Sequence, residues 1–443
     1  MLTDMIWALA VAVVLSTAMG ITSFYKHKIS KELSRKIVHV SMGCVALTFP
    51  YLFTYNLTVQ VLGALTIGAL LVVRHNRFLS TGIGTSLFRV NRQSYGEIYF
   101  VVAIVVVHTF FVSPYEYLIA IGVLTFADSI AALVGTSYGR YQLAHVSEDS
   151  KSSEGSSTFF VVSYFCALIP LQLMSSVGRG EVLVISLIIA VLSTLIEMVS
   201  EKGNDNLLLP VLSFVFLRMT AGEPLRYLLF YLALMGLAMV PIVLIYKRTG
   251  VTKLSLAYAL LVVYVVLIQG GVLALVPPVV LFVTFGILPS MSAQEKALPL
   301  TYRVIECNST VGLVLLILSN LLVGWADVLL IGFSLAFAGH LVINTYARLR
   351  KYTVHTPFVC NLYSVGKGLA LIGVPSFFIF DMKLGQIGIY VLFLLVFLRV
   401  GDYLLKKHDY LEMDLDKLKS HRIATGVVST LCVLMLVALG GVM

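Results

Sequence analysis

The chain has 443 residues, 59% of them hydrophobic and only 12% charged, with a mean hydropathy of +0.96 and a formal net charge of +9. Soluble domains carry about 25% charged residues, so a water-soluble globular fold is excluded. Cys44, Cys166, Cys307, Cys360 and Cys432 are widely spaced with no CxxC pair, which argues against a disulfide framework or a zinc site.

Apolar runs of roughly 17 to 22 residues recur from end to end, each long enough to cross a hydrocarbon core about 30 Å thick. Such spans must be helical, because lipid offers backbone groups no partner. The expected fold is all-α, a polytopic transmembrane helical protein with about 14 to 16 spans. In chain order the spans are expected to start near Met5, Leu33, Asn56, Ile98, Glu116, Ser157, Val182 and Leu207. They continue from Tyr227, Val251, Val272, Ser309, Ala326, Phe358, Leu384 and Ile423, those at Leu207 and Val272 being short or proline-interrupted. The first run, from Met1 to Gly20, has no basic leader and reads as a signal anchor.

Charge sets the orientation. If the loop after the first span is cytoplasmic and the spans alternate, most of the 31 Lys and Arg residues fall on that side. The clusters are Lys26, Lys28, Lys31, Arg35 and Lys36, then Arg74, Arg77, Arg89 and Arg92, then Lys247, Arg248 and Lys253, then Arg348, Arg350 and Lys351. This is the positive-inside pattern. It makes the basic balance a matter of topology and membrane lipid contact, not of nucleic-acid binding. Both termini are then expected outside, in an integral multi-pass protein. The loops holding KSSEGSS and KGNDN and the Arg35–Lys36 pair are expected on the cytoplasmic face, where nucleotides are found.

Polar residues that stand against apolar runs carry the candidate chemistry. Arg35, Lys36 and His39 open the second span as RKIVHV and can share one helix face. Glu97, in SYGEIYF, stands where the fourth span begins. Asp128 lies inside an apolar run, LTFADSIAALVG, where an ionised carboxylate is costly and implies a partner or a function. Lys151, Ser152, Ser153, Glu154, Gly155 and Ser156 fit a polar loop running into a helix N-terminus. Hydroxyls, free N–H groups, the helix dipole and a lysine there form an anion site. A Ser followed by Glu also caps helices in the ordinary way. Glu197 lies deep on the next span, one turn before Glu201. Asn204, Asp205 and Asn206 form an oxygen-rich GNDN turn, suited to Mg²⁺, which takes one or two carboxylates plus phosphate oxygens. No Walker loop or GxGxxG is present, so a nucleotide must be held by other means. All these motifs precede Lys247, and the chain is expected to divide there, into 1–246 and 247–443, with no repeat between the halves.

RKIVHVSMG, GEIYF, ADSIAALVGTSYGR, KSSEGSSTFF and GNDNLLLP with Glu197 before it occur in order, and this set resembles the dolichol kinase and phytol kinase family of polytopic lipid-alcohol kinases. A more distant similarity runs to phosphatidate cytidylyltransferases. The family usually reads Gly-Asp where this chain has Ala127-Asp128. The resemblance implies a CTP-dependent kinase acting on a membrane-embedded lipid alcohol of the phytol, polyprenol, dolichol or diacylglycerol type. It implies Mg²⁺ on Asp128 and Asp205, and triphosphate contacts from Arg35, Lys36, Lys151, Ser152, Ser153, Gly155, Ser156, Asn204 and Asn206. His39 or Glu154 would take the substrate proton, a choice the sequence leaves open. A cytidylyltransferase that attacks the α-phosphorus is one alternative, and a lipid or isoprenoid transporter is another. In the second half, Arg303, Glu306 and Asn308 faintly resemble an element of the phytyl-phosphate kinase family. That family's acidic Ala-Asp-Thr element is replaced here by Gly339 and His340. Residues His340, Asn344 and Lys367 could mark a polar cavity there.

Overall fold

The computed structural model describes residues 2–24, 31–75, 95–146, 149–201, 203–249, 252–286, 301–352, 356–407 and 415–439. Helices make up nearly all of it. In chain order they begin with α1 (Leu2–Phe24), α2 (Lys31–Ala46), the short α3 (Phe49–Leu52), α4 (Asn56–His75) and α5 (Gly96–Phe110). Next come α6 (Pro114–Gly122), a π-helical turn (Val123–Ala127) and α7 (Asp128–Tyr138), which run on as one span. A hairpin of β1 (Gln142–Val146) and β2 (Asp149–Ser152) follows, then α8 (Ser153–Met174), α9 (Arg179–Val199), α10 (Asp205–Thr220) and α11 (Leu225–Thr249). The remainder is α12 (Lys253–Gly270), α13 (Val276–Gly286), α14 (Tyr302–Leu321), α15 (Ala326–Tyr352), α16 (Pro357–Gly368), α17 (Val374–Ile379), α18 (Leu384–Lys407) and α19 (Leu415–Leu439).

Ten helical segments among the described residues are long and apolar enough to cross a membrane, and five apolar helical stretches are shorter. The chain is an all-α, multi-pass membrane protein. The span expected from Leu207 is indeed short: α10 has 16 residues and carries Pro210. Against the expectation of a polar loop before α8, the chain forms the two-stranded antiparallel hairpin, with Lys151 paired to Ala144.

The chain splits into two compact units, Met1–Leu234 and Met235–Met443. The break falls inside α11, ahead of the expected one at Lys247. In the first unit α8 packs on α7 and α9, α10 packs on α5, α6 and α9, and α2 leans on the π turn. Tyr117, Phe159, Phe214 and Phe216 fill its centre, while Leu65, Phe165 and Leu173 point outward, as lipid-facing side chains do.

In the second unit α14, α16, α18 and α19 surround α15. Phe333, Phe337, Tyr390 and Phe397 are fully buried in its core. Gly339 is packed so closely that a Cβ there would lie 2.6 Å from the Phe397 ring. A carboxylate at this position would therefore need the core to open. His340, on the next residue, is fully buried with its Nδ1 3.0 Å from His421 Nε2, and Glu306 pairs with Arg422 at 2.8 Å.

Candidate active site

The sequence motifs of the first unit converge where α2, the π turn, β2, α9 and α10 end near one another. Their meeting depends on close backbone approach. A Cβ on Gly43 of α2 would lie 2.1 Å from Thr125 Oγ1, so only glycine lets α2 press against the π turn. The π turn ends at Asp128 and shifts the register of the helix there, a device frequent at functional sites. On the opposite side, a Cβ on Gly155 would lie 3.3 Å from both the Ala131 carbonyl and Gly135 Cα. Gly155 thus brings α8 against α7, which is a packing role.

Asp128 is held by two residues of α2. Lys36 Nζ donates to Asp128 Oδ2 at 2.6 Å and to the Asp128 carbonyl at 3.2 Å, and the lysine side chain is only 4% exposed. His39 Nε2 lies 3.7 Å from the same carboxylate oxygen and 3.3 Å from the Leu124 carbonyl, with its ring against Phe100. The Arg35 side chain lies outside the described residues.

Lys151, on β2, reaches the far side of the site and donates to Glu197 Oε1 at 2.5 Å. Burial opposes charge on its ammonium, but Glu197, Asp205 and Asp128 outweigh that and hold its pKa above the ordinary lysine value. Lys151 is therefore a cation held by Glu197 in the field of Asp205 and Asp128. Asp205 is the first residue of α10, its Oδ1 accepts from the Asn206 N–H, and its charge is felt by Asp128, Glu197 and Lys151. Two ammonium groups and three carboxylates thus share one pocket of charge at the end of the spans.

The turn before α10 owes its shape to Gly203, whose φ of 82° is open to glycine at no cost. Asn204 Oδ1 accepts from the Glu201 N–H at 2.8 Å, and Asn206 Nδ2 donates to the Gly96 carbonyl at 2.9 Å. Both asparagine side chains therefore brace the turn, the second by tying it to α5 beside the half-buried Glu97. Pro210 has no N–H to give the Asn206 carbonyl in the first turn of α10.

The hydroxyl-rich loop divides its labour. Ser152 caps α8 by accepting from the Gly155 N–H at 3.2 Å. Glu154 accepts from the Arg140 N–H at 3.1 Å, the Tyr141 N–H at 3.4 Å and the Ser153 hydroxyl at 3.1 Å, so it anchors the start of the hairpin. Ser156 Oγ is buried with no partner, as is Ser129 Oγ on α7. The sequence did not reveal that Lys36 pairs with Asp128 or Lys151 with Glu197. These contacts join residues 92 and 46 positions apart, and no local spacing encodes them.

Fold and site together define a polytopic membrane protein with a cluster of ion pairs at one end of its spans, a setting for charged-group chemistry beside lipid. The chain is 31% identical over 183 residues to the phytol kinase of Synechocystis sp. (strain ATCC 27184 / PCC 6803 / Kazusa), a match covering 41% of this chain and 76% of that protein. It belongs to the phytol kinase family. No family model matches the chain. No solved structure matches it either.

Proposed function

We propose that the protein is a CTP-dependent kinase that phosphorylates the hydroxyl of a membrane-embedded lipid alcohol at the cytoplasmic membrane face. The observation that carries this reading is the cluster of Lys36, Lys151, Asp128, Glu197 and Asp205 at the ends of apolar spans. Membership of the phytol kinase family supports an alcohol as acceptor, and the motif resemblance supports CTP as donor. The positive-inside pattern supports the cytoplasmic face.

Phosphoryl transfer asks a protein chiefly for positioning and electrostatic stabilisation. Lys151 and Lys36 supply fixed positive charge for the triphosphate, and in a site shielded from water such charge acts strongly. Phosphate arrival would draw Lys36 from Asp128 and free that carboxylate. Asp128 and Asp205 would then hold Mg²⁺, and their mutual proximity and all-oxygen chemistry fit that ion. Among the described residues no group of three or more His, Cys, Asp and Glu side chains is placed to hold a metal, so the fit is to an ion that arrives with phosphate oxygens and water. When bound, Mg²⁺ would supply positive charge against the negative charge that develops on the phosphates. His39 and Phe100 form the wall on the α2 and α5 side, where an alcohol could enter laterally from the bilayer.

The test is incubation of the purified protein in detergent micelles with γ- and α-labelled CTP and phytol, a polyprenol or diacylglycerol. The expected products are the alcohol monophosphate and CDP. Release of pyrophosphate would show a cytidylyltransferase instead, and absence of transfer from any nucleotide would overturn the reading. Asp128→Asn and Asp205→Asn should each abolish transfer, and retention of more than about a tenth of the rate in both would sink the metal assignment, since electrostatic groups of this kind are worth ~100-fold or more.

A further inference from the structure

Phosphorylating an alcohol requires an acceptor for its proton, and the structure narrows the choice. Glu154 has both oxygens engaged by the N–H groups of Arg140 and Tyr141 and by the Ser153 hydroxyl. His39 points Nε2 at the Leu124 carbonyl, so that nitrogen donates and is not itself the acceptor. Asp128 Oδ2 is covered by the Lys36 ammonium.

Glu197 differs from all three. Its Oε1 accepts from Lys151, while Oε2 is buried and has no hydrogen-bond partner. The residue is only 8% exposed. A buried carboxylate oxygen left without a donor loses its hydration with nothing in return, and such orphans call for an explanation in function. Glu197 lies in the last turn of α9, whose apolar remainder is long enough to span the membrane, so it stands at the end of a span beside the charged cluster.

We propose that Glu197 is the general base of the reaction, with Oε2 receiving the proton of the substrate hydroxyl; this rests on the kinase reading above. The alcohol oxygen forms a bond to the γ-phosphorus as the bond from that phosphorus to the β,γ-bridging oxygen breaks. The bridging oxygen leaves with the electron pair as part of CDP. The hydroxyl proton passes to Glu197 Oε2 and is released to water when the products depart, which restores the carboxylate. Lys151 fixes the side chain through Oε1 and so turns Oε2 toward the incoming hydroxyl.

The experiment is single-turnover transfer from γ-labelled CTP to phytol by wild type, Glu197→Gln and Glu197→Asp across pH 5 to 9, with binding of a non-hydrolysable CTP analogue measured in parallel. Glu197→Gln preserves shape and an acceptor for Lys151. Its transfer rate should fall by at least ~100-fold, the usual scale of general base catalysis, with analogue affinity within about threefold of wild type. The acid limb of the wild-type pH–rate profile should be absent in Glu197→Gln. Glu197→Asp withdraws the oxygen by one methylene and should lose about tenfold or more in rate with binding intact, which keeps the proposal testable if the glutamine variant does not fold. The proposal is overturned if Glu197→Gln keeps more than about a tenth of the rate or retains the acid limb. Equal loss of rate and analogue affinity also overturns it, leaving Glu197 as a support for Lys151 alone. Wild-type protein that makes no alcohol phosphate with any donor fails the kinase reading itself, a result distinct from every variant outcome.

Discussion

At the scale of single residues, the site is held by charges that need one another. Lys36 is 4% exposed and Asp128 16%, so removing one partner strands the other in a place poorly served by water. Breaking a buried ion pair in this way costs about 3–5 kcal/mol. Lys36→Met should therefore lower the thermal unfolding midpoint in detergent markedly, and adding Asp128→Asn should restore part of the loss. A double variant no more stable than Lys36→Met would show that a stranded Asp128 carboxylate is not the source of the loss. The identity of these residues was legible in the sequence because charge inside an apolar run is conspicuous. Their pairing was not. Glu154 illustrates the same limit from the other side: its sequence setting, after three polar residues at a helix start, fits catalysis as well as it fits anchoring Arg140 and Tyr141. The anchoring contacts come from the three-dimensional path of the hairpin, which the sequence alone does not announce.

At the scale of elements, the site depends on how closely α2 can approach the π turn. Gly43 has no room for a Cβ, since Thr125 Oγ1, Cγ2 and Cβ all lie within 2.7 Å of where it would be. Thr125 is itself fixed, its hydroxyl donating to the Ile121 carbonyl at 2.7 Å. Gly43→Ala should push α2 outward and carry Lys36 and His39 away from Asp128. We expect a loss of transfer activity larger than the loss of stability, with Thr125→Ala in the same chain recovering part of both. Unchanged activity in Gly43→Ala would show that α2 is free to slide. Helix positions were legible because span length and apolar runs announce them. The π turn and the hairpin were not, because one extra residue in a helical turn leaves the apolar pattern nearly unchanged and the hairpin is too short for a strand period to emerge. Gly155 lets α8 approach Ala131 and Gly135 of α7, a contact between helices that the sequence does not announce.

At the scale of the whole molecule, orientation decides whether the site can meet a cytoplasmic nucleotide. The Lys and Arg clusters that set it lie mostly away from the site. Single cysteines at Ser150 and Asn204 should react with impermeant thiol reagents from the cytoplasmic side alone. Labelling of either from the outer side would remove the argument from nucleotide access, whatever the fate of the ion-pair cluster.

The two compact units differ in the kind of polar groups they hold, and that difference makes a further prediction about the division of work. The first unit places two ammonium groups among three carboxylates. The second holds a buried histidine pair, His340 and His421, and the Glu306–Arg422 ion pair, while Gly339 fills the space where an acidic side chain would collide with Phe397. Lys151→Ala should therefore reduce transfer by at least ~100-fold, as expected for a well-placed charge in a site sheltered from water. Lys367→Ala should leave transfer within about threefold of wild type, and His340→Ala should do the same once its yield of folded protein is taken into account, since its ring bonds to His421 and not to the charged cluster. Rates are to be measured per folded molecule, by size-exclusion profile and thermal midpoint. A folded Lys367→Ala protein as impaired as Lys151→Ala would place the second unit within the active site, or give it a second phosphorylation step that turns the monophosphate product into a diphosphate, and thin-layer analysis of the labelled lipids would tell these two outcomes apart.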